Sequence, residues 1–122
     1  MKTRSPTSTL PKLAVAAIED TKGVDIRVLD VRELTTITDT MIICSGTSSR
    51  HVKSIADNVV ERVKHSGVQP RGTQGFEQGE WVVVDLGGVV VHVMQIGTRA
   101  FYQLEKLWDI QEQPKPAAAG AR

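Results

Sequence analysis

The chain has 122 residues, of which 40% are hydrophobic, 15 are Lys or Arg, 14 are Asp or Glu and one is cysteine. That length predicts a single domain able to bury a core without staples, and one cysteine excludes an internal disulfide framework and suits a reducing compartment. No apolar run is long enough to span a membrane, and the opening MKTRSPTST has no apolar signal core, so the expected setting is cytoplasmic and off the membrane.

In chain order, residues 1–8 and 113–122 read as disordered tails around a single domain at 9–112. The tails hold Lys2, Arg4, Lys115 and Arg122 and no acid, which leaves 11 of the 15 basic residues against all 14 acids, a net of −3 for the domain. A mildly acidic domain argues against a sequence-specific nucleic-acid binder and is compatible with docking on a basic protein. Thr9 is placed to cap a helix over 10–22, with Leu10, Leu13, Ala14, Ala17 and Ile18 inward and Gly23 as its stop. VDIRVLDV (24–31) alternates as a strand, and TMIICS (40–45) reads as a buried central strand. GTSSR turns into a helix over 49–66, with Val52, Ile55, Ala56, Val59 and Val63 on one side and Gly67 as its end. Residues 68–79 are Gly- and Gln-rich, expected as a short strand and a loop. A last helix is predicted over 98–108, with Phe101, Leu104, Leu107 and Trp108 as its apolar side. The order predicts an α+β fold: one mixed β-sheet with packed helices.

The stretch WVVVDLGGVVVHVMQI (81–96) reads as a hairpin turning at Gly87-Gly88, with both glycines expected at positive φ. Val83 then faces His92, and Asp85 faces Val90. Val82, Val84, Leu86, Val89, Val91 and Val93 form an aliphatic core face. Trp81, Val83, Asp85, Val90, His92 and Met94 form the opposite face, whose mixed chemistry is that of a recognition surface. His92 is either a sheet histidine bonded to Asp85 or a direct partner contact, and the two roles are compatible.

CSGTSSR (44–50) matches the Cys-x5-Arg loop of cysteine phosphatases, which gives a small phosphatase using Cys44 and Arg50 as the alternative function. Against it, two fixed positions arise easily by chance, no Asp-Pro pair supplies a general acid, and Cys44 continues the apolar run MIIC as a buried thiol would. Ser48 or Ser49 as a helix cap explains the loop without chemistry. No Asp-x-Asp exists for a metal-dependent transferase, and His51, His65 and His92 share no ligand spacing, so neither metal nor cofactor is expected. His51 and His65 are expected in solvent on a helix surface.

The blocks ITDTMIICSGTSSRHVKSIADNVVERVK and WVVVDLGGVVVHVMQIGTRAFYQLEKLW closely resemble the ribosomal silencing factor family (Iojap-like, RsfS type), over about residues 10–109. The resemblance implies a nucleotidyltransferase-like fold without catalytic acids and a protein that is not an enzyme. It implies binding to the large ribosomal subunit through its protein L-fourteen, blocked joining of the small subunit, and lower translation in starvation. Members of that family are often dimers, so it also allows a homodimer. It points to the mixed hairpin face as the docking surface, with Trp81, Asp85, His92 and Met94, and Arg99, Tyr102 and Glu105 from the following helix. The chain departs from the usual family pattern at Gly88, Gln74 and Ile96-Gly97, and each departure removes negative charge beside that face.

Overall fold

The structure is a computed structural model. It describes the backbone of residues 6–103 and 112–113 and the side chains of 9–103. It comprises α1 (Pro6–Asp20), β1 (Val24–Asp30), β2 (Thr40–Gly46), α2 (Ser49–His65), β3 (Gly72–Gln74), β4 (Trp81–Asp85), β5 (Val89–Gln95), α3 (Ile96–Tyr102) and β6 (Glu112–Gln113). The strands form one mixed sheet in the order β3-β4-β5-β2-β1-β6. The central pair β2–β5 is parallel, and the other four pairings are antiparallel. This is the α+β architecture expected, with one more strand: β6 pairs Gln113 with Val28 and Glu112 with Leu29.

Helix α1 starts at Pro6, three residues before the expected Thr9 cap, and therefore carries Pro11 inside it. Its end is also built differently. Lys22, not Gly23, is the residue in the left-handed region, with φ 64°. The Gly23 N–H donates to the Ile18 carbonyl at 2.8 Å, and a Cβ at Gly23 would collide with the Ile18 side chain. Gly23 is thus required for space where the chain turns back on the helix.

Helix α2 follows its sequence pattern closely. The Ser48 hydroxyl accepts the His51 N–H at 3.1 Å as its cap. Its buried residues are Val52, Ile55, Ala56, Val59 and Val63. At its far end Val68 N–H reaches the Val63 carbonyl and Gly67 N–H reaches that of Lys64, which satisfies two carbonyls of the last turn.

Helices α1 and α2 cover one face of the sheet. There Val28, Ile42 and Cys44 join the six aliphatic hairpin residues Val82, Val84, Leu86, Val89, Val91 and Val93 in the main core. The predicted hairpin register holds, with Val83 opposite His92 and Asp85 opposite Val90. Its turn uses one positive φ rather than two: only Gly87 is left-handed, at 93°, as in a type II′ turn. Gly88 instead offers its carbonyl to the N–H groups of Asp39 and Thr40, tying the hairpin tip to the start of β2.

The other face of the sheet is not simply a surface. Leu29, Val31, Met41, Ile43 and Met94 form a second, smaller core with Trp81 packed against it. Strand β2 is therefore buried on both sides, which is why it reads as an unbroken apolar run.

Candidate docking face

Strands β4 and β5 present Trp81, Val83, Asp85, Val90 and His92, all half-buried, on the face away from α1 and α2. Trp81 and His92 are diagonal neighbours there. The indole Nε1–H donates to His92 Nδ1 at 3.0 Å, and the ring centroids lie 6.0 Å apart. Tyr102, at the end of α3, tilts against Trp81 with centroids 4.8 Å apart. Phe101 meets Tyr102 edge-on at 4.9 Å. Four rings thus run continuously from the middle of β5 to the tip of α3. At the α3 end they are open: Tyr102 is 54% exposed and Phe101 79%. Ile96, at the start of α3, is also exposed.

His92 Nδ1 is taken by the Trp81 indole, not by the Asp85 carboxylate that the sequence offered as its partner. Asp85 Oδ1 accepts the Gly87 N–H at 2.9 Å and closes the hairpin turn locally. A two-residue turn after Asp85 presents an N–H nearer than the diagonal imidazole, so the carboxylate serves its own turn. Burial lowers the His92 pKa to about 4, so the ring is neutral at neutral pH.

The remaining expected site residues separate. Met94 is fully buried in the second core, directly across the strand pair from Trp81, which packs against that core. Arg99 is also buried. Its Nη1 donates to the Asp25 carbonyl at 2.7 Å and to Ser45 Oγ at 3.1 Å, and Nη2 lies 3.6 Å from the Asp25 carboxylate. It anchors α3 to β2 and to the irregular start of β1, where Asp25 takes a φ of 52° inside a register shift. Glu105 lies outside the described residues. Phe101, expected on the inward side of a long helix, is at the surface. Helix α3 ends at Tyr102, with Gln103 left-handed at φ 50°, so the apolar periodicity assumed for 98–108 does not apply to its visible part.

The Cys44–Arg50 pair does not form an active site. Cys44 is fully buried under the helices, and desolvation pushes its thiol up to about 12, the reverse of an activated nucleophile. Arg50 is exposed on the first turn of α2. His51 is not solvated as expected: Nδ1 accepts the Thr47 N–H at 2.9 Å and Nε2 faces the Thr21 carbonyl at 2.7 Å, joining the start of α2 to the end of α1. Among the described residues no group of three or more His, Cys, Asp or Glu is placed to hold a metal ion.

The pattern of the family described as ribosomal silencing factor during starvation, RsfS, matches residues 4–121. The chain belongs to the ribosomal silencing factor family. It is 45% identical over 113 residues to the ribosomal silencing factor RsfS of Chromobacterium violaceum, spanning 93% of this chain and 92% of that one. It is 46% identical over 99 residues to that of Haemophilus influenzae, spanning 81% and 97%. A crystal structure of a Chromobacterium violaceum protein superimposes with a TM-score of 0.85 at 42% identity, covering 97% of this chain and 98% of that one. The role the family carries is regulatory: ribosome-associated silencing of translation.

Proposed function

We propose that this protein docks through the ring face of the β4–β5 hairpin and the tip of α3 onto protein L-fourteen of the large ribosomal subunit. Docked on the intersubunit side, it blocks joining of the small subunit and works by occupancy, without turnover, in the cytoplasm. The observation that carries the proposal is the open run of rings. Trp81, Tyr102 and Phe101 are large, partly rigid side chains on a surface that neither α1 nor α2 covers, and such aromatics dominate binding energy at protein interfaces. The four half-buried partners around them, Val83, Asp85, Val90 and His92, supply a mixed rim. Self-association of the protein through the same face would compete with docking.

The test uses purified subunits. Mixing small and large subunits raises light scattering as they join. Preincubating the large subunits with this protein should suppress that rise, and Tyr102→Ala should restore it by weakening docking on the order of thirtyfold, about 2 kcal/mol for a central aromatic. Undiminished joining with saturating protein defeats the proposal.

A further inference from the structure

We propose that His92 is a specificity-determining donor, whose Nε2–H is matched to a main-chain carbonyl of the docked partner. This rests on the docking reading above. The indole Nε1–H has a hydrogen to give and no lone pair to offer, so the imidazole nitrogen 3.0 Å from it, Nδ1, is bare. A neutral imidazole bare at Nδ1 carries its proton on Nε2. Burial keeps the ring neutral, so no second proton complicates the assignment at neutral pH. Nε2 takes no partner among the described residues, yet it is not one of the sealed-in polar atoms. The hairpin therefore presents one outward N–H of fixed polarity at the β5 end of the ring run.

That polarity excludes a great deal. Lysine and arginine side chains are donors only and cannot face this nitrogen, even though the surface as a whole suits a basic protein. Oxygen acceptors remain: the charged ones are carboxylate and phosphate, and the neutral one that side chains meet most often is a main-chain carbonyl. Asp85 lies diagonally across the strand pair on the same face, and Glu80 directly precedes Trp81. Both repel a carboxylate or a phosphate, as does the net acidity of the domain. A main-chain carbonyl, such as an extended segment displays along its edge, meets the donor without that repulsion.

The test has two parts. In the free full-length protein, long-range proton–nitrogen NMR of the imidazole should show the proton on Nε2 and a bare Nδ1; a proton on Nδ1 overturns the proposal. Binding to purified large subunits is then compared for His92→Leu and His92→Gln, with melting curves to confirm folding. Both variants lose Nδ1, but glutamine restores an N–H near the Nε2 position. His92→Leu should weaken binding on the order of tenfold, the effect of one buried hydrogen bond, and His92→Gln should recover most of it. The loss should be equal at low and high salt. Equal loss in both variants overturns the donor role. A loss that shrinks as salt rises assigns the contact to a carboxylate or a phosphate and overturns the carbonyl. Failure of the unaltered protein to bind large subunits overturns the docking reading and this proposal together, whereas the other outcomes strike this one alone.

Discussion

His92 interrupts a valine strand without destabilising it because its ring is half-buried as a neutral group and accepts the Trp81 indole N–H. The cost appears only in acid. Its folded pKa of about 4 lies below the ordinary 6.5, so as pH falls the unfolded chain takes up the proton first. Stability is therefore unaffected above about pH 6.5 and declines from there to about 4, by at most about 3 kcal/mol. Denaturant midpoints at pH 7 and pH 4.5 should converge for His92→Gln relative to the unaltered protein; parallel declines contradict the assignment. Asp85 has a different role. Its carboxylate holds the hairpin turn, so Asp85→Ala should cost roughly 1 kcal/mol of stability as well as any contact it makes to a partner. Cys44 is packing: the native thiol, pushed up to about 12, should resist a water-soluble alkylating agent until the protein unfolds. Rapid reaction under native conditions would show that the core opens there.

At the scale of elements, Arg99 decides whether the ring run is assembled. It is the one buried charged side chain among the described residues, and its hydrogen bonds to Asp25 and Ser45 set α3, and with it Tyr102, against the sheet. Arg99→Met should lower stability by about 2 kcal/mol or more, since hydrogen bonds from a charged group are lost in a buried site. It should also change Trp81 fluorescence, because Tyr102 would no longer be held at its ring. An unchanged emission spectrum would mean α3 is positioned by something else. The elements also show what the sequence could tell. The start and the buried stripe of helix α2 were legible, because one capped helix buries one stripe. The hairpin register was legible because a one-residue slip would expose six aliphatic side chains. Helix α3 was not, because its single buried anchor is an arginine and its large apolar residues face outward. The Asp85–His92 pairing was misread for a related reason: diagonal proximity on a sheet does not outrank a local N–H one turn away. Met94 and Trp81 shared a face in the pattern, but the pattern could not show that side chains of β1 and β2 join Met94 in a second core on that face.

At the scale of the molecule, charge and shape separate. The stable part is a sheet sandwiched between two helices and a small second core, and the exposed rings sit on top of the latter. The expectation from the sequence resemblance that acids belong at the positions of Gly88 and Gln74 bears on this face. Gln74 is exposed on edge strand β3, opposite Val83 and so on the same side as the rings, and Gly88 is not among the glycines with positive φ. Gly88→Asp combined with Gln74→Glu should speed association with large subunits at low salt by several-fold and leave dissociation nearly unchanged, because long-range charge acts mainly on encounter. The measurement that tests the central claim most directly is sedimentation of a cell extract through a sucrose gradient, with this protein detected in every fraction. The account predicts that it travels with free large subunits and not with joined ribosomes, and that Tyr102→Ala shifts it to the top of the gradient while its melting temperature barely changes. Even spread across the gradient, cofractionation with small subunits, or a Tyr102→Ala profile identical to that of the unaltered protein would contradict it.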